Sequence, residues 1–286
     1  MFSKQEFLLR IIKNGLVLQS FFARQFSKME DLIAGVSMAA LDTENRRRLT
    51  TAVYGARKDY KLEGMFEWEE KWFSSDLPAP PAKILLGGAG SGREIHHLSR
   101  LGYRIVAFDP VPSFVHHGIG RLQPNQCEAF LVGSFEDLAS PSKEAARAFE
   151  NDVKDLSPYD AVVCGWGSFT HIGTDVQRIS LLKQFKKVCP NGPVLLSFWM
   201  RGEDAEIRKG RAWKLGWKIG RLLANQMDAI EPPNPGDWFL GNAGFGHFFT
   251  LEEIKELAAT TGYELSRSPG GTYIGTFPHA TLRPAG

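Results

Sequence analysis

Leu85-Leu86-Gly87-Gly88-Ala89-Gly90-Ser91-Gly92-Arg93-Glu94 is the stretch on which the reading of this chain turns. A short apolar run, 84–86, precedes the glycines and a helix-like segment, about 94–101, follows them, so they fall at a strand-to-helix turn. Glycine at such a place lets the backbone turn sharply and lets a ligand approach without Cβ atoms in the way, while the first turn of the helix offers unpaired N–H groups. A second apolar run, 104–108, closes a βαβ unit that ends in Asp109-Pro110. The pattern predicts a cofactor seated on the turn.

Two glycine patterns compete. Read as GxGxxG, Gly88 and Gly90 lack their third glycine, because Arg93 stands in its place, and a nicotinamide cofactor becomes the weaker reading. Read as GxGxG, the triplet Gly88, Gly90 and Gly92 fits, and the segment resembles motif I of the class I S-adenosylmethionine-dependent methyltransferases. Asp109, at the end of the second strand, is a carboxylate able to accept hydrogen bonds from both ribose hydroxyls of an adenosyl group. Further along, Val132-Gly133-Ser134-Phe135-Glu136-Asp137-Leu138 resembles the family's adenine-contacting segment, and Tyr159-Asp160-Ala161-Val162-Val163-Cys164-Gly165-Trp166-Gly167-Ser168-Phe169-Thr170-His171 is similar to its motif IV. The end of the chain, from His247-Phe248-Phe249-Thr250 to Phe277, matches the family's C-terminal helix and hairpin. In all, the resemblance covers about 83–199 and 246–278.

The resemblance implies an α/β fold with a Rossmann-like, mostly parallel seven-stranded sheet and an antiparallel C-terminal hairpin. It implies an enzyme that transfers a methyl group from S-adenosyl-L-methionine to a small-molecule acceptor. Carried over position by position, the cofactor contacts are Gly88, Ala89, Gly90, Gly92, Asp109, Pro110, Ser134, Phe135, Gly165 and Trp166. The Ser134 hydroxyl and the Phe135 backbone are expected at adenine, with Glu136 or Asp137 a solvated carboxylate; Gly165 leaves room for the cofactor and Trp166 walls it. Ser134 stands where family members often carry Asp. A second departure is Leu86, which occupies the place of an acidic residue that orders the methionine amino group, so that interaction must come from elsewhere. Arg93-Glu94, together with the Phe66-Glu67-Trp68-Glu69 segment ahead of the turn, resembles a subset of these proteins. Tyr54, Arg57 or Tyr60 could reach the cofactor carboxylate.

Methyl transfer asks the protein mainly to hold donor and acceptor in line and to exclude water, so a base is optional. Where the acceptor is a hydroxyl or ammonium, a neutral histidine would serve. His171, after motif IV, and His247, at the end of an insertion, are the candidate catalytic residues. The pairs His96-His97 and His116-His117 point apart on a helix and give no metal site. Two other functions stay open at this level: a nicotinamide oxidoreductase, and a cofactor-binding protein of the same fold without chemistry.

Outward from the turn, residues 1–76 read as a helical N-terminal cap, and Pro78, Pro80 and Pro81 break the chain before the 77–286 cofactor-binding domain. Phe7, Leu8, Ile11, Ile12, Leu18 and Phe22 fall on one side of a helix whose interrupting charges exclude a spanning segment, and packing within the cap is expected ahead of membrane-surface contact. Apolar runs at 129–132, 161–164 and 194–199 continue the sheet. An insertion at about 200–246 then reads as a lid, with Arg211, Lys214, Lys218 and Arg221 on one helical arc beside Trp213 and Trp217. That arc is read first as a solvated face; its rivals are attraction of an anionic acceptor, a phospholipid surface or, least favoured, nucleic acid. Thr250 and Glu253 form a capping box, Gly262 ends that helix, and 263–267 with 272–277 predict the closing hairpin.

Composition bounds the rest. Among 286 residues, 34 basic and 32 acidic side chains leave a formal charge of +2, too little to require nucleic acid. The 43% hydrophobic content supports a globular core, and three dispersed cysteines, Cys127, Cys164 and Cys189, fit a reducing, cytoplasmic setting without zinc.

Overall fold

The computed structural model describes residues 4–57, 64–202, 210–224, 234–270 and 277–286. Three helices come first: α1 (Lys4–Ala40), α2 (Thr43–Gly55) and α3 (Glu67–Asp76). The alternating part follows as β1 (Lys83–Gly87), α4 (Arg93–Arg100), β2 (Arg104–Asp109), α5 (Pro112–Ile119), β3 (Ala129–Val132), α6 (Phe135–Ala139), α7 (Glu144–Asp155) and β4 (Ala161–Cys164). A 3-10 turn, Ser168–His171, leads to α8 (Asp175–Val188), β5 (Val194–Ser197), the two-residue β6 (Trp199–Met200) and α9 (Arg211–Ala224). The chain ends with β7 (Asp237–Leu240), β8 (Gly244–Phe249), α10 (Leu251–Thr261), β9 (Tyr263–Gly270) and β10 (His279–Pro284).

Seven strands form one sheet in the order β3-β2-β1-β4-β5-β10-β9, and β6, β8 and β7 form a small second one. The first five are parallel, whereas β10 runs antiparallel to both β5 and β9. The order reverses direction at β1, between β2 and β4, and the carboxyl ends of these strands flank the crevice where open α/β sheets take ligands. Strands covered by helices on both faces need apolar side chains at successive positions. In β1, Leu85 joins the core on one face while Ile84 and Leu86 join the core on the other, and all three are fully buried.

The helices ahead of β1 divide between two packing partners. Trp72 and Phe73 of α3 enter the core under β1, and the Trp72 indole donates to the Thr281 hydroxyl of β10 at 2.9 Å. The end of α1, through Ala34 and Met38, instead packs with Trp213 of α9, Phe239 of β7 and Phe245 of β8. Helical preamble and insertion thus share a core of their own. Phe22, expected on a packed face, is half exposed at 51%; the side chains of 1–12 and 15–18 lie outside the described residues.

Thr250 caps α10 as its sequence predicts, accepting from the Glu253 amide, and Gly262 ends the helix in the left-handed region. The expected strand at 272–277 falls almost wholly on residues 271–276, which lie outside those described, and the strand seen to pair with β9 is His279–Pro284. Register is set by pairing: Ala280 and Leu282 face the core, opposite Leu196 and Val194 of β5, a demand that local β propensity does not contain.

Candidate functional site

The glycine turn is built from positive φ angles, +66° at Gly88, +57° at Gly90 and +91° at Gly92. Its form is fixed by two backbone bonds, from the Ala89 amide to the Phe108 carbonyl and from the Gly92 amide to the Ala89 carbonyl, at 3.1 and 2.9 Å. Gly90 is the open point of the turn: a methyl group added there would meet nothing within 4 Å, so a ligand has access to the backbone at that residue. Beneath it, the Phe135 ring packs against Gly87, Gly88 and Phe108.

Asp109 closes the turn from the second strand. One carboxylate oxygen accepts from the Gly90 amide at 2.8 Å and the other from the Val111 amide at 2.9 Å. Pro110 has no N–H, which makes Val111 the first donor available beyond the strand. Burial pushes the Asp109 carboxyl up to about 6, against the lowering effect of these two amides. Each oxygen retains a lone pair for a hydroxyl donor.

A buried charge cluster lies beside the turn. Both terminal nitrogens of Arg93 donate to Glu69 at 2.6 Å, and one of them donates also to Glu94 at 2.6 Å. Glu69 is wholly buried, and Arg93 and Glu94 nearly so. Phe66 and Trp166 cover the guanidinium, with ring centroids 5.1 and 4.9 Å from its carbon. The missing side chain of Gly165 admits the Glu94 carboxylate, since a Cβ there would sit 3.3 Å from its oxygen. Burial raises Glu94 above the usual carboxylate range, with Arg93 opposing the shift. Trp166 itself is half exposed at 51%, with φ at +44°, so it is not a core residue.

Across the crevice, the 3-10 turn presents His171. Its Nδ1 lies 2.7 Å from the Phe245 carbonyl, which can only accept, so Nδ1 carries the proton and Nε2 the lone pair. The Tyr54 hydroxyl of α2 meets Nε2 at 3.1 Å. Burial pulls the imidazole below its ordinary range and pushes the Tyr54 phenol up to about 12, so both are neutral at pH 7. Arg46, Arg47 and Glu136 line a small cavity with His171, and burial lifts the Glu136 carboxyl to about 7.

No family model and no curated relative matches the sequence. Solved structures do. The fold is similar to a methyltransferase from Bacteroides fragilis in complex with S-adenosyl-L-homocysteine, at 14% identity and a TM-score of 0.50, covering 79% of this chain and 80% of that one. It is similar also to the CcbJ methyltransferase from Streptomyces caelestis, at 13% identity and a TM-score of 0.51 over 82% and 96% of the two chains. The magnesium protoporphyrin IX methyltransferase from Synechocystis, with bound S-adenosylmethionine, gives 12% identity and 0.51 over 86% and 99%. The chain has the fold of the class I S-adenosylmethionine-dependent methyltransferases.

On this methyltransferase fold the sequence-predicted residues sort themselves. Gly88, Ala89, Gly90, Gly92, Asp109 and Pro110 come together at the β1 and β2 ends, and Gly165 and Trp166 meet them from β4 through Glu94 and Arg93. Ser134 departs from expectation: its hydroxyl donates to Asp137 and accepts the Asp137 amide, so it caps α6 and is buried. Asp137 is spent on the same cap and Glu136 lines the cavity, so neither is a solvated carboxylate. His247 is corrected as a catalytic candidate. Its Nδ1 lies 2.7 Å from Asp237 and its Nε2 3.5 Å from Glu253, which leaves neither nitrogen for a substrate. Among the described residues no group of His, Cys, Asp and Glu could hold a metal.

Two arrangements escaped the sequence reading. Phe66-Glu67-Trp68-Glu69 and Arg93-Glu94 were visible as separate features, and their direct ion pairing follows only from the packing of α3 against α4. Of Tyr54, Arg57 and Tyr60, offered as alternatives for the cofactor carboxylate, Tyr54 meets His171 through its hydroxyl, Arg57 lies over the Tyr54 ring, and Tyr60 is outside the described residues.

Proposed function

We propose that this chain is an enzyme that binds S-adenosyl-L-methionine along the carboxyl ends of β1, β2 and β4 and transfers its methyl group to a small-molecule acceptor. The observation that carries this reading is the glycine turn held to Asp109 through the Gly90 amide, on a methyltransferase fold. The residues fit the cofactor: Gly90 is open to a ligand, Asp109 has lone pairs for two ribose hydroxyls, and Glu94 places a buried carboxylate where an ammonium group can be met. Glu94 thereby replaces the acidic residue missing at Leu86. When bound, the cofactor supplies an electrophilic methyl group on a sulfonium.

His171 is the base in this reading. Its fixed Nδ1–H leaves Nε2 free of a proton, and Tyr54 connects Nε2 to the crevice, so a proton from a hydroxyl or ammonium acceptor can pass through the phenol to the imidazole. Because burial keeps the imidazole neutral, it needs no prior deprotonation at pH 7. The Phe66 and Trp166 rings and the Arg93 cluster wall the methyl-bearing end against water. The domain reading that goes with this function is a 77–286 cofactor-binding unit carrying the 200–246 insertion, with 1–76 as a helical cap.

Calorimetry with S-adenosylmethionine and with NADPH separates the two cofactor classes, and radiolabelled methyl transfer into fractionated cell extract identifies the acceptor. The expected result is binding of the sulfonium cofactor alone and label in a small-molecule fraction. His171→Asn is expected to lower kcat roughly a hundredfold or more while leaving cofactor affinity unchanged. Binding of NADPH in place of S-adenosylmethionine would overturn the reading.

A further inference from the structure

The helical arm formed by α1 and α9 exposes more apolar surface than a solvent-facing structure requires. The helices approach closely because Gly35, Gly216 and Gly220 face each other's backbones: a Cβ at Gly220 would lie 2.8 Å from the Val36 carbonyl oxygen and one at Gly35 2.8 Å from the Trp217 amide. That contact, with Trp213 buried, fixes which side of α9 is inward. Outward lie Leu215, Ile219, Leu222 and Leu223, at 54%, 38%, 68% and 55% exposure. On α1, Phe22, Phe26, Met29 and Ile33 recur at helical spacing and are also exposed, Phe26 at 64%. At 100° per residue each stripe falls on the side of its own helix away from the Ala34, Met38 and Trp213 core.

Charge identifies the occupant. Arg211, Lys214, Lys218 and Arg221 line the outward arc of α9 beside its leucines, and the described α9 carries no acidic residue. Arg24 and Lys28 lie on the exposed part of α1, whereas its Glu30 and Asp31 are turned toward Gly241 and Gly210. None of these six cations forms an ion pair with a described residue. A second copy of the chain would set four of these cations against four in an isologous contact. An anionic phospholipid surface accepts both components, apolar stripe inward and cations at the headgroups. No described helix is long and apolar enough to cross a membrane, so the arm would lie on the surface.

We propose that the α1–α9 arm docks the protein on anionic phospholipid membranes, with Phe22, Phe26, Met29 and Ile33 of α1 and Leu215, Ile219, Leu222 and Leu223 of α9 inserted at the interface.

The test is co-sedimentation of the full chain with vesicles of phosphatidylcholine alone and with vesicles containing about 30% phosphatidylglycerol. Binding is expected to the anionic vesicles and to fall with added salt. Replacing Arg211, Lys214, Lys218 and Arg221 with glutamine should weaken it roughly tenfold or more. Phe26→Ser with Leu222→Ser should weaken it by a similar factor, and cofactor binding by each variant reports that it folds. Failure of the parent to sediment with anionic vesicles, or undiminished binding by the charge variant, overturns the proposal. So does a stable dimer in sedimentation equilibrium that the Leu222→Ser change disperses. Loss of methyl transfer in solution would bear on the proposed activity and leave vesicle binding untouched.

Discussion

The carboxyl edge of the large sheet and the α1–α9 arm treat charge and apolar surface in opposite ways. At the sheet edge, Glu69, Arg93, Glu94 and Asp109 are taken out of water and each is matched to a donor or acceptor at 2.6–2.9 Å. On the arm, six cations are exposed without an ion pair to any described residue, beside leucines and phenylalanines that are about half exposed. Buried charge is tolerated only with such partners, because the desolvation of an unpaired ion costs several kcal/mol. Exposed apolar side chains cost little each, and a contiguous set of them marks a surface that meets something else. One region is organised to hold a ligand, the other to meet a surface.

The contrast predicts a graded series of effects. Removing Arg93 strikes deepest: Arg93→Ala leaves Glu69 and Glu94 buried together and should destabilise the fold by about 3 to 5 kcal/mol, read as a lower midpoint in urea. Stability close to the parent would mean that water reaches the cluster and that the sheet edge is less enclosed than its geometry implies. Next comes Asp109→Ala, which should weaken S-adenosylmethionine binding by about 1.5 to 3 kcal/mol in calorimetry while helix content is kept, as for a lost hydrogen bond to a charged group. Gly90→Val belongs to the same test. It forces a β-branched residue to a φ of +57° on the open face of the turn, and binding should vanish without loss of helix content.

A third measurement uses pH. Hydroxyl donors favour the ionised Asp109, whose carboxyl is held near 6 in the free protein, so its pKa should fall on binding. Affinity should therefore rise as pH increases through about 6 and fall below it, and Asp109→Asn should flatten that profile. In the free protein the sign for stability is opposite: a carboxyl raised by burial stabilises most when protonated, and its contribution is lost as pH rises through about 6. The smallest effect belongs to the arm. The four glutamine replacements on α9 should leave the unfolding midpoint within about 0.5 kcal/mol of the parent, as for surface changes without partners. A large destabilisation there would erase the distinction between the two regions.

His171 and His247 show how far local sequence carries a functional reading. His171 ends the motif IV-like segment in a 3-10 turn, and His247 lies within β8 at the end of the insertion. Their surroundings diverge: Asp237 and Glu253 take the two nitrogens of His247, whereas Phe245 takes one nitrogen of His171 and leaves the other to Tyr54. None of these partners is adjacent in the chain. The glycine turn was legible for the converse reason, since its strand, turn and helix are contiguous and Asp109 follows at the end of the next strand. Ser134 fell between the two cases: a serine three residues before an acidic one is also a helix cap, and Asp137 took the hydroxyl.

Alternation of apolar runs with helix-like segments, and the glycines between them, determined the parallel sheet and its cofactor turn, because strand burial and positive φ are requirements of single segments. The tertiary structure alone decided the closing strand at His279–Pro284, the Glu69–Arg93–Glu94 cluster, the neutral Tyr54–His171 pair and the exposed face of the arm. Each of these depends on which distant segments exclude water from one another, and water exclusion is a property of packed surfaces that no local pattern contains.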